Sequence, residues 1–146
     1  MYSTNAFDQP VPFSDAKAML FLAGDRVQAG FPSPAEDFAV KRIDLTEVLI
    51  THPQATFLLR VRGKSMINAG IFDGDMLVVN KALKPRHGQV VVAVVDGEFT
   101  VKFLYMLDGL IKLQAANPDF LEFIPKDGQT LEVWGVVTAC IKRFVC

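Results

Sequence analysis

From residue 56 onward the chain has the pattern of a succession of β-strands. Runs of branched and aromatic residues recur there, and glycine, proline, asparagine or aspartate separate them. The predicted strands are Thr56–Arg62, Asp75–Asn80, Gln89–Val95, Glu98–Tyr105, Leu110–Ala115 and Leu131–Val145. Asp96 and Gly97 alone separate the third run from the fourth, and this dipeptide favours a tight hairpin because a type I′ turn needs positive φ at both central positions. We therefore expect a mainly β protein.

The first thirty residues keep no strong hydrophobic period, because prolines and glycines interrupt the apolar positions. We expect residues 1–29 to form an N-terminal arm. Ser14 is a possible N-cap, and it predicts a short helix over residues 13–22. Pro32 and Pro34 then favour an extended backbone, so residues 30–42 are predicted to be a linker.

A β-rich domain is expected to occupy residues 43–146. It begins with a short predicted helix between Ile43 and Ile50, since Asp44 near its start can cap it and the pair His52-Pro53 follows its end.

Lys102 lies in the apolar run Phe99–Tyr105, on the return strand of the predicted hairpin. Strand alternation places its side chain on the same face as those of Thr100 and Leu104. Removing water from an ammonium disfavours its charged form, so a lysine in this setting can become a base near neutral pH. A neutral lysine beside a serine hydroxyl can activate that hydroxyl without a histidine. The alternative is an edge-strand lysine whose stem packs on apolar neighbours while its ammonium reaches water.

Composition limits the possible function classes. The chain has 146 residues, of which 51% are hydrophobic and 21% charged, with a formal net charge of -1 and a pI near 6.1. This balance suits one folded domain and provides no general basic field for nucleic-acid binding. The apolar stretch 18–23 is too short to span a bilayer, and we expect no signal peptide and no membrane anchor. The two cysteines, Cys140 and Cys146, lie close together at the C-terminus, and we expect a cytoplasmic protein.

The two histidines do not favour metal binding or a conventional triad. His52 and His87 have no partner at metal-ligand spacing, and both are expected in loops, so we expect no metal and no other cofactor. The segment around Ser65 lacks the second glycine of a G-x-S-x-G elbow. The S-x-x-K pattern at Ser14–Lys17 lies in the arm without its companion motifs, and we discount it.

Several motifs occur in a specific order along the chain. They are Ala29–Pro34, Arg42–Leu45, His52-Pro53, Gly63–Met66, Asp73–Asp75, Glu98–Lys102 and Trp134–Val137. In this order they resemble the UmuD branch of the LexA-type self-cleaving serine peptidases, from about Ala29 to the C-terminus. Any one of these motifs would be weak alone, but their shared order is specific.

The resemblance implies a compact LexA/UmuD-like, β-rich catalytic domain with an extended, partly helical N-terminal arm. It implies Ser65 as the nucleophile, Lys102 as the general base, and self-cleavage between Ala29 and Gly30. That cleavage would remove residues 1–29.

The turn around Ser65 is expected to complete the catalytic site. Backbone N–H groups near Ser65, its own among them, are expected to hold the developing oxyanion. Gly63 and Met66 are the expected oxyanion and turn support. Without the resemblance, an ordinary turn serine is the favoured interpretation of Ser65. Lys64 stands where UmuD proteins often carry an acidic residue; it either favours neutral Lys102 by charge repulsion or points to solvent.

The resemblance also implies a role in the DNA-damage (SOS) response. A RecA–single-stranded DNA filament would promote the cleavage, and the shortened homodimer would join a UmuC-type Y-family polymerase in error-prone translesion synthesis. An arm of twenty-nine residues without a basic recognition helix cannot supply a helix-turn-helix domain, so we expect no direct operator binding. A regulatory or binding module without a polymerase partner is the alternative, and a peptidase acting on other proteins is a third. The sequence leaves cleavage in cis or in trans open.

Overall fold

The computed structural model describes residues 9–12, 19–23 and 40–145, and within them the chain is mainly β. The described residues fall into two compact units. Residues 9–12 and 52–145 belong to the larger unit, and residues 19–23 and 40–51 to the smaller one. The predicted cleavage site, Ala29-Gly30, and the S-x-x-K pattern at Ser14–Lys17 lie outside the described residues.

The described residues contain nine strands. In chain order they are β1 (Val11–Pro12), β2 (Met19–Ala23), β3 (Val40–Asp44), β4 (Thr56–Arg60), β5 (Met76–Asn80), β6 (Val90–Val95), β7 (Glu98–Leu107), β8 (Leu110–Gln114) and β9 (Leu131–Ile141). Seven of them form one antiparallel sheet in the order β1-β4-β5-β9-β6-β7-β8. All six strands predicted from residue 56 onward are confirmed. The last one ends at Ile141 rather than Val145.

The β6–β7 hairpin has the predicted tight turn. Asp96 and Gly97 have φ of 48° and 84°, and Val95 pairs with Glu98. A second hairpin of the same kind joins β7 to β8, because Asp108 and Gly109 also have positive φ. The paired backbone extends β7 to Leu107, two residues beyond the predicted end.

Apolar side chains pack on both faces of the sheet. Alternate residues of β6 divide between the two cores: Val92 belongs to one, Val91 and Ala93 to the other. The first core also joins β4 to β7, although these strands are far apart in the sheet order. Trp134 lies between them, with its ring centroid 4.9 Å from that of Phe57 and 5.6 Å from that of Phe99. The sheet therefore curves, and the end of β4 comes near the start of β7.

Strand β9 is central in the sheet and is irregular at two places. Its pairing shifts once against β5 and once against β6. Gly135 lies between these shifts, and a Cβ atom at this position would be 2.6 Å from Cγ1 of Val79. Glycine is therefore required where β9 approaches β5.

The smaller unit contains a hairpin and one short helix. Strand β2 pairs with β3, and helix α1 (Leu45–Leu49) follows. The helix predicted between Ile43 and Ile50 is confirmed: Asp44 caps it, with its Oδ1 accepting a hydrogen bond of 3.0 Å from the backbone N–H of Thr46.

The prediction of a helix over residues 13–22 is wrong for its second half. Residues Met19–Ala23 form β2 instead, because pairing with β3 satisfies their backbone groups and tertiary pairing overrides a weak local preference. Residues 13–18 lie outside the described part. The end of the predicted linker, from Val40, is also paired, as part of β3. In the described part of the chain, no helix has the length and apolar character needed to cross a bilayer.

Candidate active site

Ser65 lies in a turn that follows strand β4. Gly63 has φ of +88°, which favours glycine, and its N–H donates a hydrogen bond of 2.8 Å to Oδ1 of Asp73. Met66 follows Ser65 directly, and its side chain is only 2% exposed in the first core. The turn is therefore fixed on both sides of Ser65.

A second segment holds the same turn from the other side. The side-chain amide of Asn117 donates a hydrogen bond of 2.9 Å to the carbonyl oxygen of Lys64. One residue earlier, the carbonyl of Ala116 accepts a hydrogen bond of 2.8 Å from the N–H of Asn68. The loop after β8 is thus attached to the Ser65 turn at two points.

The Lys102 amine has three oxygen neighbours. Its Nζ lies 3.0 Å from Oγ of Ser65, 2.8 Å from Oγ1 of Thr100 and 3.1 Å from the carbonyl oxygen of Val101. Thr100 and Lys102 extend from the same face of β7, as strand alternation predicts. The structure therefore brings together two residues that are 37 positions apart in sequence.

Burial lowers the pKa of Lys102 below its ordinary value of 10.5. No carboxylate among the described residues forms an ion pair with Lys102. No neighbouring negative charge therefore offsets the cost of removing water from its ammonium group. Lys64 is exposed, which agrees with the interpretation that its side chain points to solvent. The hydrophobic surroundings of Lys102 thus favour a neutral amine.

Ser65 and Lys102 line a pocket of about 180 Å³ between the end of β4 and the start of β7. Its other lining residues include Leu59, Val61, Phe99 and Val101. Arg60, Arg62 and Thr100 also line it, so polar and apolar groups share its walls.

The backbone N–H groups near Ser65 divide into two kinds. The N–H of Gly63 is already bonded to Asp73, so Gly63 supports the turn. Among the described residues, the N–H groups of Ser65 and Met66 donate no hydrogen bond. These two groups are available to bind an oxyanion.

Both histidines lie elsewhere, as predicted. His52 Nδ1 is 2.9 Å from Nδ2 of Asn80, and His87 Nδ1 accepts a hydrogen bond of 3.1 Å from the N–H of Met106. Neither histidine lines the pocket. Asp73 and Asn117 hold the turn, and neither was predicted to do so. The available signal for Asn117 was its position before a proline, which only indicated a loop.

Comparison with known proteins agrees with this geometry. A family model described as Peptidase S24-like matches residues 21–138. The chain is 44% identical over 133 residues to protein ImpA of Salmonella typhimurium, which covers 90% of both chains. It is 45% identical over 123 residues to protein MucA of the same organism, covering 83% of this chain and 84% of MucA.

The similarity extends to a larger protein. The LexA repressor of Halorhodospira halophila is 40% identical over 133 residues, which are 90% of this chain but 58% of the repressor. The match over most of the chain and the near-complete coverage of ImpA together establish the relationship. The chain belongs to the Peptidase S24-like family of serine peptidases, in its UmuD branch.

Proposed function

We propose that this protein cuts its own Ala29–Gly30 bond with a Ser65–Lys102 dyad. The observation that carries the proposal is the 3.0 Å distance between Lys102 Nζ and Ser65 Oγ, in surroundings that lower the pKa of the lysine. The family is one of serine peptidases, and the two histidines lie away from the pocket. These observations support Lys102 as the base that activates Ser65, since a Ser–Lys pair needs no histidine.

The charged Lys102 ammonium donates to all three oxygens, Ser65 Oγ included, and loss of one proton allows the contact with Ser65 to reverse. A neutral amine has two N–H donors and one lone pair, and Lys102 has three oxygen neighbours. Its two N–H groups can donate to Thr100 Oγ1 and to the Val101 carbonyl. The lone pair then accepts the hydroxyl hydrogen of Ser65, which is the hydrogen bond that a general base needs.

Acylation follows from this arrangement. Lys102 Nζ takes the proton of the Ser65 hydroxyl, and Oγ bonds to the carbonyl carbon of Ala29. The oxyanion forms beside the N–H groups of Ser65 and Met66. The bond from Ala29 to the Gly30 nitrogen then breaks, and the Lys102 ammonium gives its proton to that nitrogen.

Deacylation releases the second product. Lys102 takes a proton from water, and the hydroxide adds to the acyl carbon of the Ser65 ester. Ser65 leaves and regains its proton from Lys102. The products are residues 1–29 with a new carboxylate and residues 30–146 with a new amine. Because the substrate is tethered, the observed rate is the rate of the chemical step multiplied by the fraction of time that the arm is docked, and a partner that favours docking accelerates the reaction.

The proposed biological role follows from the UmuD branch. We propose that a RecA–single-stranded DNA filament stimulates the cleavage in the cytoplasm during the SOS response. The shortened homodimer then serves as an accessory subunit of a UmuC-type Y-family polymerase in translesion synthesis. The similarity to ImpA and MucA supports this placement.

Purified full-length variants test the dyad. Ser65→Ala and Lys102→Ala should each remain uncut under alkaline conditions in which wild type cuts itself, because each lacks one of the two groups that transfer the proton. Lys64→Ala is the control: it removes an exposed lysine next to the nucleophile and should be cut like wild type. Electrophoresis at fixed times measures the full-length fraction. Self-cleavage of Ser65→Ala would refute the mechanism.

A regulatory or binding module without a polymerase is the second candidate, and the similarity to a LexA repressor favours it. A chain that begins at Gly30 and carries Ser65→Ala separates the two roles. If it restores damage-induced mutagenesis in cells that lack the full-length protein, peptidase chemistry serves only activation and the polymerase role is supported. Failure of both this chain and the wild-type chain to restore mutagenesis favours the module.

A further inference from the structure

The contact between Asn117 and Lys64 reaches the backbone of the nucleophile. The carbonyl group of Lys64 and the N–H group of Ser65 belong to one peptide unit. The described residues contain no cis peptide bond, so these two groups point in opposite directions. Any contact that fixes the carbonyl therefore also fixes the direction of the Ser65 N–H.

The Asn117 side chain binds that carbonyl in a fixed orientation. Its side-chain nitrogen donates to the Lys64 oxygen at 2.9 Å, while the N–H of Ile67 reaches the same oxygen at 3.4 Å. The Asn117 side-chain oxygen accepts a hydrogen bond of 3.0 Å from the N–H of Asp119. An acceptor on one side and a donor on the other fix the orientation of the amide, because a flipped amide would lose both hydrogen bonds.

The position of Asn117 is also rigid. The residue is 8% exposed, and its carbonyl accepts a hydrogen bond of 3.1 Å from the N–H of Phe120. Pro118 follows it and restricts its backbone to extended conformations. Ala116, on its other side, packs against the first core and binds Asn68. The amide is therefore fixed from several directions.

We propose that Asn117 is a positioning residue for the peptidase reaction, because it orients the Lys64–Ser65 peptide so that the Ser65 N–H can bind the oxyanion. This inference rests on the proposed function. The Asn117 side chain forms no hydrogen bond with Ser65 Oγ or Lys102, and it acts through the backbone of the turn. Its effect should therefore appear in the rate at full deprotonation of Lys102 and not in the pH at which Lys102 titrates.

The test compares two buried asparagines in the full-length protein. Asn117→Leu removes the donor while keeping a similar shape and no charge. Asn80→Leu is the matched control, since Asn80 is 2% exposed and also uses both ends of its amide, with its Oδ1 bonded to the N–H of Ala82 and its Nδ2 near His52. The self-cleavage rate is measured from pH 7 to pH 11 for both variants and wild type.

We expect the limiting rate of Asn117→Leu to fall by about tenfold to a hundredfold relative to Asn80→Leu, as for an oxyanion donor that is misplaced. The midpoint of the pH profile should stay within about 0.5 unit of wild type, because Lys102 keeps its neighbours. A loss smaller than about fivefold overturns the inference. So does a larger shift of the midpoint, because Asn117 would then act on Lys102.

Folding is controlled separately. Each rate is divided by the folded fraction from near-ultraviolet circular dichroism, and the assay is repeated at low temperature in sucrose, which favours the folded state. Asn117→Ala provides a second variant under the same criteria. Failure of the proposed function is distinguishable, because then wild type and Asn80→Leu would also remain uncut.

Discussion

The Lys102 amine is half-buried beside the Ser65 turn, and its partners are hydroxyl and carbonyl oxygens. Oxygen atoms of this kind accept hydrogen bonds without supplying the negative charge that would keep the ammonium protonated. Burial therefore lowers the pKa of Lys102 from 10.5. The neutral fraction, and with it the rate of self-cleavage, should rise with pH through this lowered pKa and level off above it.

Thr100→Val tests the hydroxyl next to Lys102. The change keeps the side-chain shape and removes one of three oxygen partners of Nζ. The charged form of Lys102 loses a stronger hydrogen bond than the neutral form does. The midpoint of the pH–rate profile should therefore move to lower pH. The limiting rate should fall by about fivefold, the equivalent of about 1 kcal/mol for one hydrogen bond that orients the base.

The control is Thr138→Val, which removes a hydroxyl that contacts the Val78 carbonyl at 3.4 Å; neither residue lines the pocket. Its profile should match wild type. A Thr100→Val profile that moves to higher pH would contradict the account of how Lys102 is kept neutral.

At the scale of elements, local patterns predicted the strands well. Branched and aromatic runs identified each strand after residue 56, and the Asp96-Gly97 pair identified a hairpin. Asp108-Gly109 carries the same signal, although no hairpin was predicted there. The helix over residues 13–22 failed for Met19–Leu22 because pairing with β3 is not visible in the local sequence. The register shifts along β9 are not visible in the local sequence either, because they depend on the pairing of β9 with both β5 and β6.

The candidate site was also predictable from the sequence only in part. Family motifs pointed to Ser65 and Lys102, and strand alternation placed Thr100 on the face of Lys102. The distance between the two residues could not be predicted, because it depends on the curvature that brings β7 near β4. The contact of Asn117 with the Ser65 turn could not be predicted from the sequence either, because it joins two loops that are 53 residues apart.

Gly135→Ala tests the close approach of β9 to β5. The added Cβ would meet Cγ1 of Val79, a fully buried branched side chain with little room to move. We expect a loss of about 1–3 kcal/mol in the free energy of unfolding, as for overpacking in other cores. Urea denaturation of the full chain measures it.

Val79→Ala supplies the control for that prediction. It removes the clashing atom, so Gly135→Ala should lower the free energy of unfolding less in a Val79→Ala protein than in wild type. Equal costs in the two backgrounds would show that the clash is not the reason for glycine.

At the scale of the molecule, Asp75 links the C-terminal segment to the residues that follow the nucleophile. Its carboxylate pairs with the Lys142 ammonium and accepts hydrogen bonds from the N–H of Phe72 and the thiol of Cys140. Burial alone would raise the pKa of Asp75, but these contacts outweigh it and hold the pKa below the ordinary 3.8. Burial, with the nearby carboxylate, raises the pKa of the Cys140 thiol.

The pH dependence of stability follows from the sign of that shift. Because the folded state holds the carboxylate more strongly than the unfolded state, Asp75 contributes stability above its unfolded pKa of about 3.8, and this contribution is lost as pH falls through the folded pKa. Asp75→Asn should lower the free energy of unfolding by about 2 kcal/mol at neutral pH, as for a hydrogen-bonded charged group. Its stability should then decline less steeply in acid.

Asp127→Asn is the control, because Asp127 is exposed, and it should keep the wild-type profile. Chemical denaturation from pH 2 to pH 7 measures all three proteins. If the free energy of unfolding fell equally steeply in acid for Asp75→Asn and wild type, Asp75 would not be the source of this stability.

We propose above that neutral Lys102 activates Ser65 to cut the Ala29–Gly30 bond. The most direct test is mass spectrometry of the intact protein during alkaline incubation, since it reports the cut bond and its rate together. We expect two products, one ending at Ala29 and one beginning at Gly30, that accumulate in wild type and are absent from Ser65→Ala. An uncut wild-type chain, or a cut at another bond, would contradict the proposal.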